Sequence, residues 1–448
     1  MAGTVPVAPA GTAGTSQAAT TSRYTAPLAV LSTLFFMWGF LTCLNDFISP
    51  HLKALFDLNY YWAGFVQTAF FFAYFVMSLP SGWVVKRTGY KPGIIIGLTI
   101  AALGCLLFYP AAKAPSFPLF LVALFVLGAG ITLLQVAANP FVAALGKPET
   151  ASSRLTLTQF FNSLGTTIAP HFGAVVILAV AVKSSAELKQ MTPAAVEAYR
   201  AAQAGAVQGP YLALAGTLVA LAVAIGLSRL PKIDDGAEGA LRAVGDDHRT
   251  SAWQYRHLVL GAVAIFVYVG AEVAIGSFMI NYLSLPTIGG FSERDASHYV
   301  SLYWGGAMVG RFAGVLLMRR FEPRVLLALA AGIAAVLVAA TMLGHGRVAL
   351  WSVVAIGLFN SIMFPTIFTL GIAGLGSATD KAASLLIMAI VGGAIVPLAQ
   401  GALADRLGVQ PAFLLPLACY LFIVFYGWRG SRVEADEPSL SSPALARH

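Results

Sequence analysis

Twelve long apolar stretches constrain this 448-residue chain more than any other feature of its sequence. A helix that spans a membrane needs about 20 consecutive apolar residues. Only 10% of the residues are charged and 58% are hydrophobic, whereas a soluble domain carries about 25% charged residues. The sequence therefore predicts an all-α membrane protein, with spans near 26–52, 61–85, 92–112, 116–145, 154–180, 210–230, 256–284, 297–318, 324–344, 348–373, 382–402 and 410–430.

A charged polar connection at 231–255 separates the sixth span from the seventh. The first 22 residues contain no charged side chain, so they are typical of a disordered tail and lack the basic region of a cleaved signal. We therefore predict two six-helix halves joined by a cytoplasmic loop and flanked by two tails, at 1–22, 23–230, 231–255, 256–430 and 431–448.

Basic residues give the chain a formal net charge of +8. They are scattered singly through short connections instead of forming one patch, so no nucleic-acid partner is predicted. Lys and Arg concentrate in the connections on the same side as both termini, and the positive-inside rule assigns that side to the cytoplasm. We predict a multi-pass inner-membrane protein, in contact with lipid, with both termini in the cytoplasm.

The two halves repeat a weak pattern of helix-bending residues. Pro140 and Gly146 of the fourth span recur as Pro365 and Gly371 of the tenth. Parallel six-helix halves with a substrate site between them at mid-depth resemble the plan of the major facilitator transporters. The number of spans and the central connection agree with that plan, so the sequence predicts a major facilitator fold.

Asp46 lies inside the first long apolar stretch. An ionised side chain at mid-bilayer costs roughly 2.5–3.5 kcal/mol on insertion scales, and a protonated carboxyl avoids most of that cost. A group of this kind can take up and release a proton, so Asp46 is predicted to couple transport to protons. Helical spacing puts Trp38 on the same face. The alternative is that Asp46 caps the end of its helix before Pro50.

Carboxamide side chains cluster in the fourth and fifth spans, as Gln135, Asn139, Gln159 and Asn162. Each amide both donates and accepts hydrogen bonds, as the hydroxyl groups of a sugar do. An indole such as that of Trp38 can stack on the apolar face of a pyranose. We therefore predict a sugar-binding site. The alternative is that the amides hydrogen-bond neighbouring helices to each other, which is common in membranes.

The second half contributes one acid well inside a predicted span, Glu272 in the seventh. It is a second candidate for proton coupling, although a structural ion pair with Arg311 of the eighth span is an equally good interpretation. Asn281 follows nine residues later, so it can face the same cavity only if the helix bends, for example near Gly276. Asn360 of the tenth span is a further candidate for substrate binding.

Five segments together resemble the fucose/proton symporter family of the major facilitator superfamily: Asn45-Asp46, 134–141, 159–163, 310–314 and 359–366. The resemblance covers about residues 24–427 and implies sugar uptake across a bacterial inner membrane by alternating access. We also predict a monomer with no cofactor besides the co-transported ion, and Asn45, next to the coupling acid, is a candidate for substrate binding. The ion is expected to be a proton, although some relatives use sodium.

One departure from that family points to a narrower branch. In the fucose branch an Asp of the first span and a Glu of the fourth are essential; Asp46 matches the first, but Gln135 replaces the second. This departure resembles the glucose/galactose porters and the N-acetylglucosamine porters close to them. It makes a hexose the expected substrate and leaves the position of a second coupling acid open.

Other classes of function fit less well. A drug/proton antiporter has the same fold, but the amide cluster is too polar for lipophilic drugs. A carrier-like sugar sensor is disfavoured because the central loop is short. An enzyme is not expected, since the chain has no His-Glu-x-x-His and no Gly-x-Ser-x-Gly. The three cysteines lie in apolar runs without metal-ligand spacing.

Overall fold

The computed structural model describes residues 25–43, 52, 56, 60–113, 116–176, 190–228, 230–231 and 252–433. The described residues are almost entirely helical, and each predicted span corresponds to a helix or a pair of helices. The twelve helical spans, in chain order, are α1 Thr25–Cys43, α2 Tyr60–Thr88, α3 Tyr90–Lys113, α4 Phe117–Ala144, α5 Ala151–Val176, α6 Pro193–Leu227, α7 Arg256–Leu283, α8 Glu293–Leu317, α9 Pro323–Leu343, α10 Gly346–Gly371, α11 Thr379–Leu407 and α12 Pro411–Gly430.

Eleven of the described helices are long and apolar enough to cross a membrane. The exception is α5, which has 26 residues and so reaches about 39 Å at 1.5 Å per residue. Its length is sufficient, but side chains such as Arg154, Gln159 and Asn162 lower its hydropathy. A spanning helix with this composition needs its polar face covered by protein, and α5 packs against α1 and α8.

Glycines bring α1 and α5 into direct backbone contact. A Cβ atom at Gly39 would lie 2.1 Å from the carbonyl oxygen of Asn162, and one at Gly165 would lie 2.2 Å from that of Phe36. Both distances are far inside van der Waals contact, so only glycine fits at either position. This contact sets the indole of Trp38 and the amides of α5 at a defined spacing.

In the described residues the two halves meet mainly along α2 with α11 and α5 with α8, and there are further contacts of α5 with α10 and of α4 with α11. Three polar contacts between the described parts of the two halves lie towards one end of the bundle. The Ser152 and Thr369 hydroxyls lie 2.6 Å apart, and Ser153 Oγ donates to the Val315 carbonyl at 3.2 Å. Ser78 Oγ donates to the carbonyl oxygen of Ser384. This end includes the last turns of α2 and α8 and the first turns of α5 and α11, and it is closed.

Two spans of the second half are interrupted at mid-length. In α10, one helix ends at Asn360 and a second begins at Met363. Pro365 has no backbone N–H, so it cannot bond the carbonyl four residues earlier, that of Ser361. In α11, the turn Ala389–Val391 separates two α-helices. Interrupted spans expose backbone polar groups, which membrane proteins tolerate where the break lines a cavity.

Candidate functional site: a polar cavity between the halves

A cavity of about 120 Å³ lies between the two halves, next to the interruptions of α10 and α11. Each half supplies part of its wall, so the cavity exists only because the halves pack together. The wall combines three uncharged polar or aromatic residues of the first half with one acid, one base and mostly apolar or aromatic residues of the second. The lining residues are Trp38, Gln135 and Gln159 from the first half and Tyr268, Val269, Glu272, Arg311, Phe364 and Ile390 from the second.

Among the described residues of the first half that line the cavity, Gln135 has the clearest capacity to bind a ligand. Its Nε2 donates to the hydroxyl of Tyr74 at 2.7 Å. The Gln135 Oε1 atom is buried and has no hydrogen-bond partner within the described part of the protein. An unpaired buried acceptor costs about 1–3 kcal/mol, so a donor group of a ligand would relieve a real penalty. Tyr74 was not predicted from the sequence.

Glu272 and Arg311 are brought to the same cavity but do not form the direct ion pair considered from the sequence, within the residues that the structure describes. The side-chain oxygen Oε1 of Glu272 lies 2.8 Å from the hydroxyl of Tyr268, within hydrogen-bond distance. The guanidinium of Arg311 binds elsewhere: Nε donates to the carbonyl oxygen of Ser361 at 3.2 Å, and Nη1 donates to Ser163 Oγ.

Arg311 therefore has two structural roles that its sequence position did not reveal. It satisfies the carbonyl that Pro365 leaves unpaired in α10, and it links α8 of the second half to Ser163 on α5 of the first. A permanent cation inside a membrane protein is costly unless it is paired or hydrogen-bonded. Its presence on the cavity wall adds positive charge beside Glu272.

Asn360 is placed behind the cavity wall. The side chain is fully buried; its Nδ2 donates to Tyr303 Oη at 2.7 Å, and its Oδ1 accepts from Tyr420 at 2.6 Å. Its backbone carbonyl accepts from Tyr268 at 3.1 Å. Because both ends of the amide are occupied, Asn360 supports the wall and does not face the ligand in this conformation.

The remaining predicted residues divide into four groups. Asn162 is beside the site, but its Nδ2 donates to the Phe35 carbonyl at 3.0 Å, as the helix-packing alternative predicts. Asn139 is fully buried, neither of its amide atoms has a hydrogen-bond partner among the described residues, and it does not line the cavity. Asn281 is exposed near the end of α7, which continues without interruption past Gly276, so it lies away from Glu272. Asn45 and Asp46 lie outside the described residues.

Comparisons with known proteins agree with this architecture. The chain is 54% identical over 410 residues to the "Glucose/galactose transporter" of Brucella abortus biovar 1 (strain 9-941), covering 92% of this chain and 95% of that protein. It is 37% identical over 406 residues to the "L-fucose-proton symporter" of Escherichia coli (strain K12), covering 90% of this chain and 92% of that protein.

A solved structure also matches along most of its length. It is described as a Major Facilitator Superfamily transporter, FucP, in the outward conformation, and it superposes with a TM-score of 0.81 at 36% identity, covering 90% of this chain and 98% of that chain. The family model of the Major Facilitator Superfamily matches residues 28–390. This superfamily consists of transporters and not of enzymes. The fold, the paired halves and these matches show that the chain belongs to the Major Facilitator Superfamily, as its motifs predicted.

Proposed function

We propose that the chain is a secondary active sugar transporter that carries a hexose of the glucose/galactose type into the cell together with a proton. One observation carries this proposal: Gln135 presents an unpaired buried acceptor beside Gln159 and Trp38, in a cavity built by both halves. Amides suit sugar hydroxyls, and an indole suits the apolar face of the ring. The names of the Brucella and Escherichia relatives support a sugar substrate.

Proton coupling is assigned to Asp46 and Glu272. The fucose branch uses an acid at the position of Gln135, and here an acid reaches the same cavity from the opposite half, as Glu272. A bound proton removes the negative charge of a carboxylate before the halves move. This matters because each charge moved across the membrane potential changes the energy by about 2.3 kcal/mol per 100 mV. The name of the Escherichia relative supports a proton as the coupling ion.

Alternating access follows from where the halves touch. In the proposed orientation, with both termini in the cytoplasm, the end closed by Ser78, Ser152 and Ser153 faces the cytoplasm. The cavity is then reached from outside, and uptake requires this end to open after the sugar and the proton have bound. The transporter acts as a monomer in a bacterial inner membrane, since each chain provides both halves of the site.

Counterflow of labelled sugar into proteoliposomes tests the substrate. We expect D-glucose and D-galactose to exchange, and competition by N-acetylglucosamine, D-mannose and L-fucose defines specificity. No exchange of any of these sugars would contradict the proposed function. Preferential exchange of N-acetylglucosamine or L-fucose would place the chain with those symporters.

Sugar accumulation driven by an inward proton gradient tests whether transport is coupled to protons. Asp46→Asn and Glu272→Gln are expected to lose accumulation while keeping part of the exchange, because a neutral side chain can bind sugar but cannot carry the proton. Replacing external sodium by choline is expected to leave accumulation unchanged. Undiminished accumulation by Asp46→Ala would refute its coupling role, and loss of transport in choline would identify sodium as the ion.

A further inference from the structure

The hydroxyl of Tyr268 lies within hydrogen-bond distance of two acceptors. Its oxygen is 2.8 Å from Oε1 of Glu272 and 3.1 Å from the backbone carbonyl oxygen of Asn360. Tyr268 is almost completely buried, and a tyrosine hydroxyl has a single proton to donate. A carbonyl oxygen and an ionised carboxylate only accept, so one proton cannot fully satisfy both of them.

The neighbouring hydroxyl groups have no proton to spare. Tyr420 donates to Asn360 Oδ1 at 2.6 Å. Tyr303 accepts from Asn360 Nδ2 at 2.7 Å, and its own proton points to the backbone carbonyl of Glu272 at 3.4 Å. These bonds run in one direction, from Tyr420 through Asn360 and Tyr303 to the backbone of α7. None of them ends on the Glu272 side chain.

The other groups that face Glu272 do not supply the missing donor either. The charged group of α8 near Glu272 is Arg311, which donates to the carbonyl oxygen of Ser361 and to Ser163 Oγ. From α12 and α8, the titratable neighbours are the hydroxyls of Tyr420 and Tyr303. The described first-half residues on the cavity wall are uncharged: Trp38, Gln135 and Gln159.

A proton on Glu272 supplies the hydrogen-bond donor that this network lacks. The protonated carboxyl donates to the oxygen of Tyr268, and the hydroxyl proton of Tyr268 is then free for the carbonyl of Asn360. That carbonyl belongs to the last residue before the interruption of α10. All the hydrogen bonds of the network then have one donor and one acceptor each, which buried polar networks require.

We propose that Glu272 carries a proton in this conformation and that Tyr268 transmits the protonation state of Glu272 to the break in α10. When the proton leaves for water in the cavity, the carboxylate takes the hydrogen bond of Tyr268 and the carbonyl of Asn360 loses its donor. The break is then less well supported, which favours movement of the segment that begins at Met363. Tyr268 is thus a positioning residue; this inference rests on the coupling role proposed for Glu272.

Difference infrared spectroscopy of the purified full-length protein tests the proton directly. We expect the carbonyl stretch of a protonated carboxyl that is present in the wild type and absent in Glu272→Gln. Tyr268→Phe should shift this band to higher frequency, because the acid loses its hydrogen-bond acceptor. Tyr420→Phe is the matched control, since it removes a hydroxyl of the same network that does not touch the carboxyl. A band unchanged in Glu272→Gln, or shifted equally by both tyrosine variants, would overturn the proposal.

Measurements of sugar affinity test whether Tyr268 transmits the protonation state of Glu272 to the break in α10. In the otherwise native protein, Glu272→Gln can still donate to Tyr268 whereas Glu272→Ala cannot, so we expect the Gln variant to bind sugar several-fold more tightly. In a Tyr268→Phe background this ratio should fall to about one. A ratio that survives Tyr268→Phe would show that Tyr268 transmits nothing. Failure of the wild type to bind any sugar would instead contradict the proposed function, and the infrared measurement needs no sugar.

Discussion

Gln135 donates a 2.7 Å hydrogen bond from Nε2 to the hydroxyl of Tyr74, and this bond decides which end of the amide is left for a ligand. With the nitrogen engaged, the unpaired Oε1 is the free acceptor. Tyr74 is almost completely buried and is absent from the cavity lining. It therefore acts on a ligand through Gln135 and not by contact.

Tyr74→Phe is expected to weaken sugar binding although no sugar contact is lost. Removing one buried hydrogen bond costs about 0.5–1.5 kcal/mol, which corresponds to roughly a two- to tenfold increase in Kd. Gln135→Ala should weaken binding at least as much, and Tyr74→Phe should add little in that background. Calorimetry on the two single variants and the double variant measures this. Additive effects would mean that Tyr74 does not act through Gln135.

A comparison of Gln159 with Asn281 tests whether a polar residue must line the cavity to contribute to sugar binding. Gln159 lines the cavity and is 5% exposed, whereas Asn281 is exposed near the end of α7. We expect Gln159→Ala to raise the Kd of the sugar several-fold and Asn281→Ala to leave it nearly unchanged, in the same equilibrium binding assay. A larger effect at Asn281 would show that α7 brings it to the sugar in another conformation.

Gly39→Ala is expected to destabilise the protein. The new Cβ would lie 2.1 Å from the backbone oxygen of Asn162, and a backbone atom cannot move aside as a side-chain tip can. Overpacking typically costs about 1–3 kcal/mol. Gly216→Ala is the matched control, because no described atom outside its own stretch of helix lies within 4 Å of a Cβ at that position. Thermal unfolding in detergent should show a lower midpoint for Gly39→Ala alone; equal midpoints would contradict the close contact of α1 and α5.

Gly82→Val is expected to open the closed end of the bundle. A Cβ at Gly82 would lie 2.0 Å from Ser384 Oγ and 3.3 Å from the backbone oxygen of Asp380, so a branched side chain pushes α2 away from α11. A cysteine introduced as Ser152→Cys, at the contact with Thr369, reports the change through its rate of maleimide labelling. We expect faster labelling with Gly82→Val than with Gly216→Val, and equal rates would argue against a gate at this position.

Many of the spans and site residues of this protein could be predicted from the local chemistry of its sequence. Apolar length predicted the spans, with α5 the least apolar of them, and the motifs around Gln135 and Gln159 identified the superfamily. Trp38, Gln135, Gln159 and Glu272 were predicted as site residues, and the structure places all four on one cavity wall. Such predictions succeed because hydropathy and helical spacing are properties of neighbouring residues, and the polar face of one helix is visible in its own sequence.

Only the tertiary structure decided which polar groups are already paired. Asn360 is enclosed by Tyr303 and Tyr420, which are 57 and 60 residues away in the chain. Arg311 bonds to Ser163, 148 residues away, and does not pair with Glu272. The direction of Asn281 depends on whether α7 bends. Hydrogen bonds between spans depend on how helices distant in the chain pack and on where those helices are interrupted. Neither can be predicted from the spacing of residues along one helix.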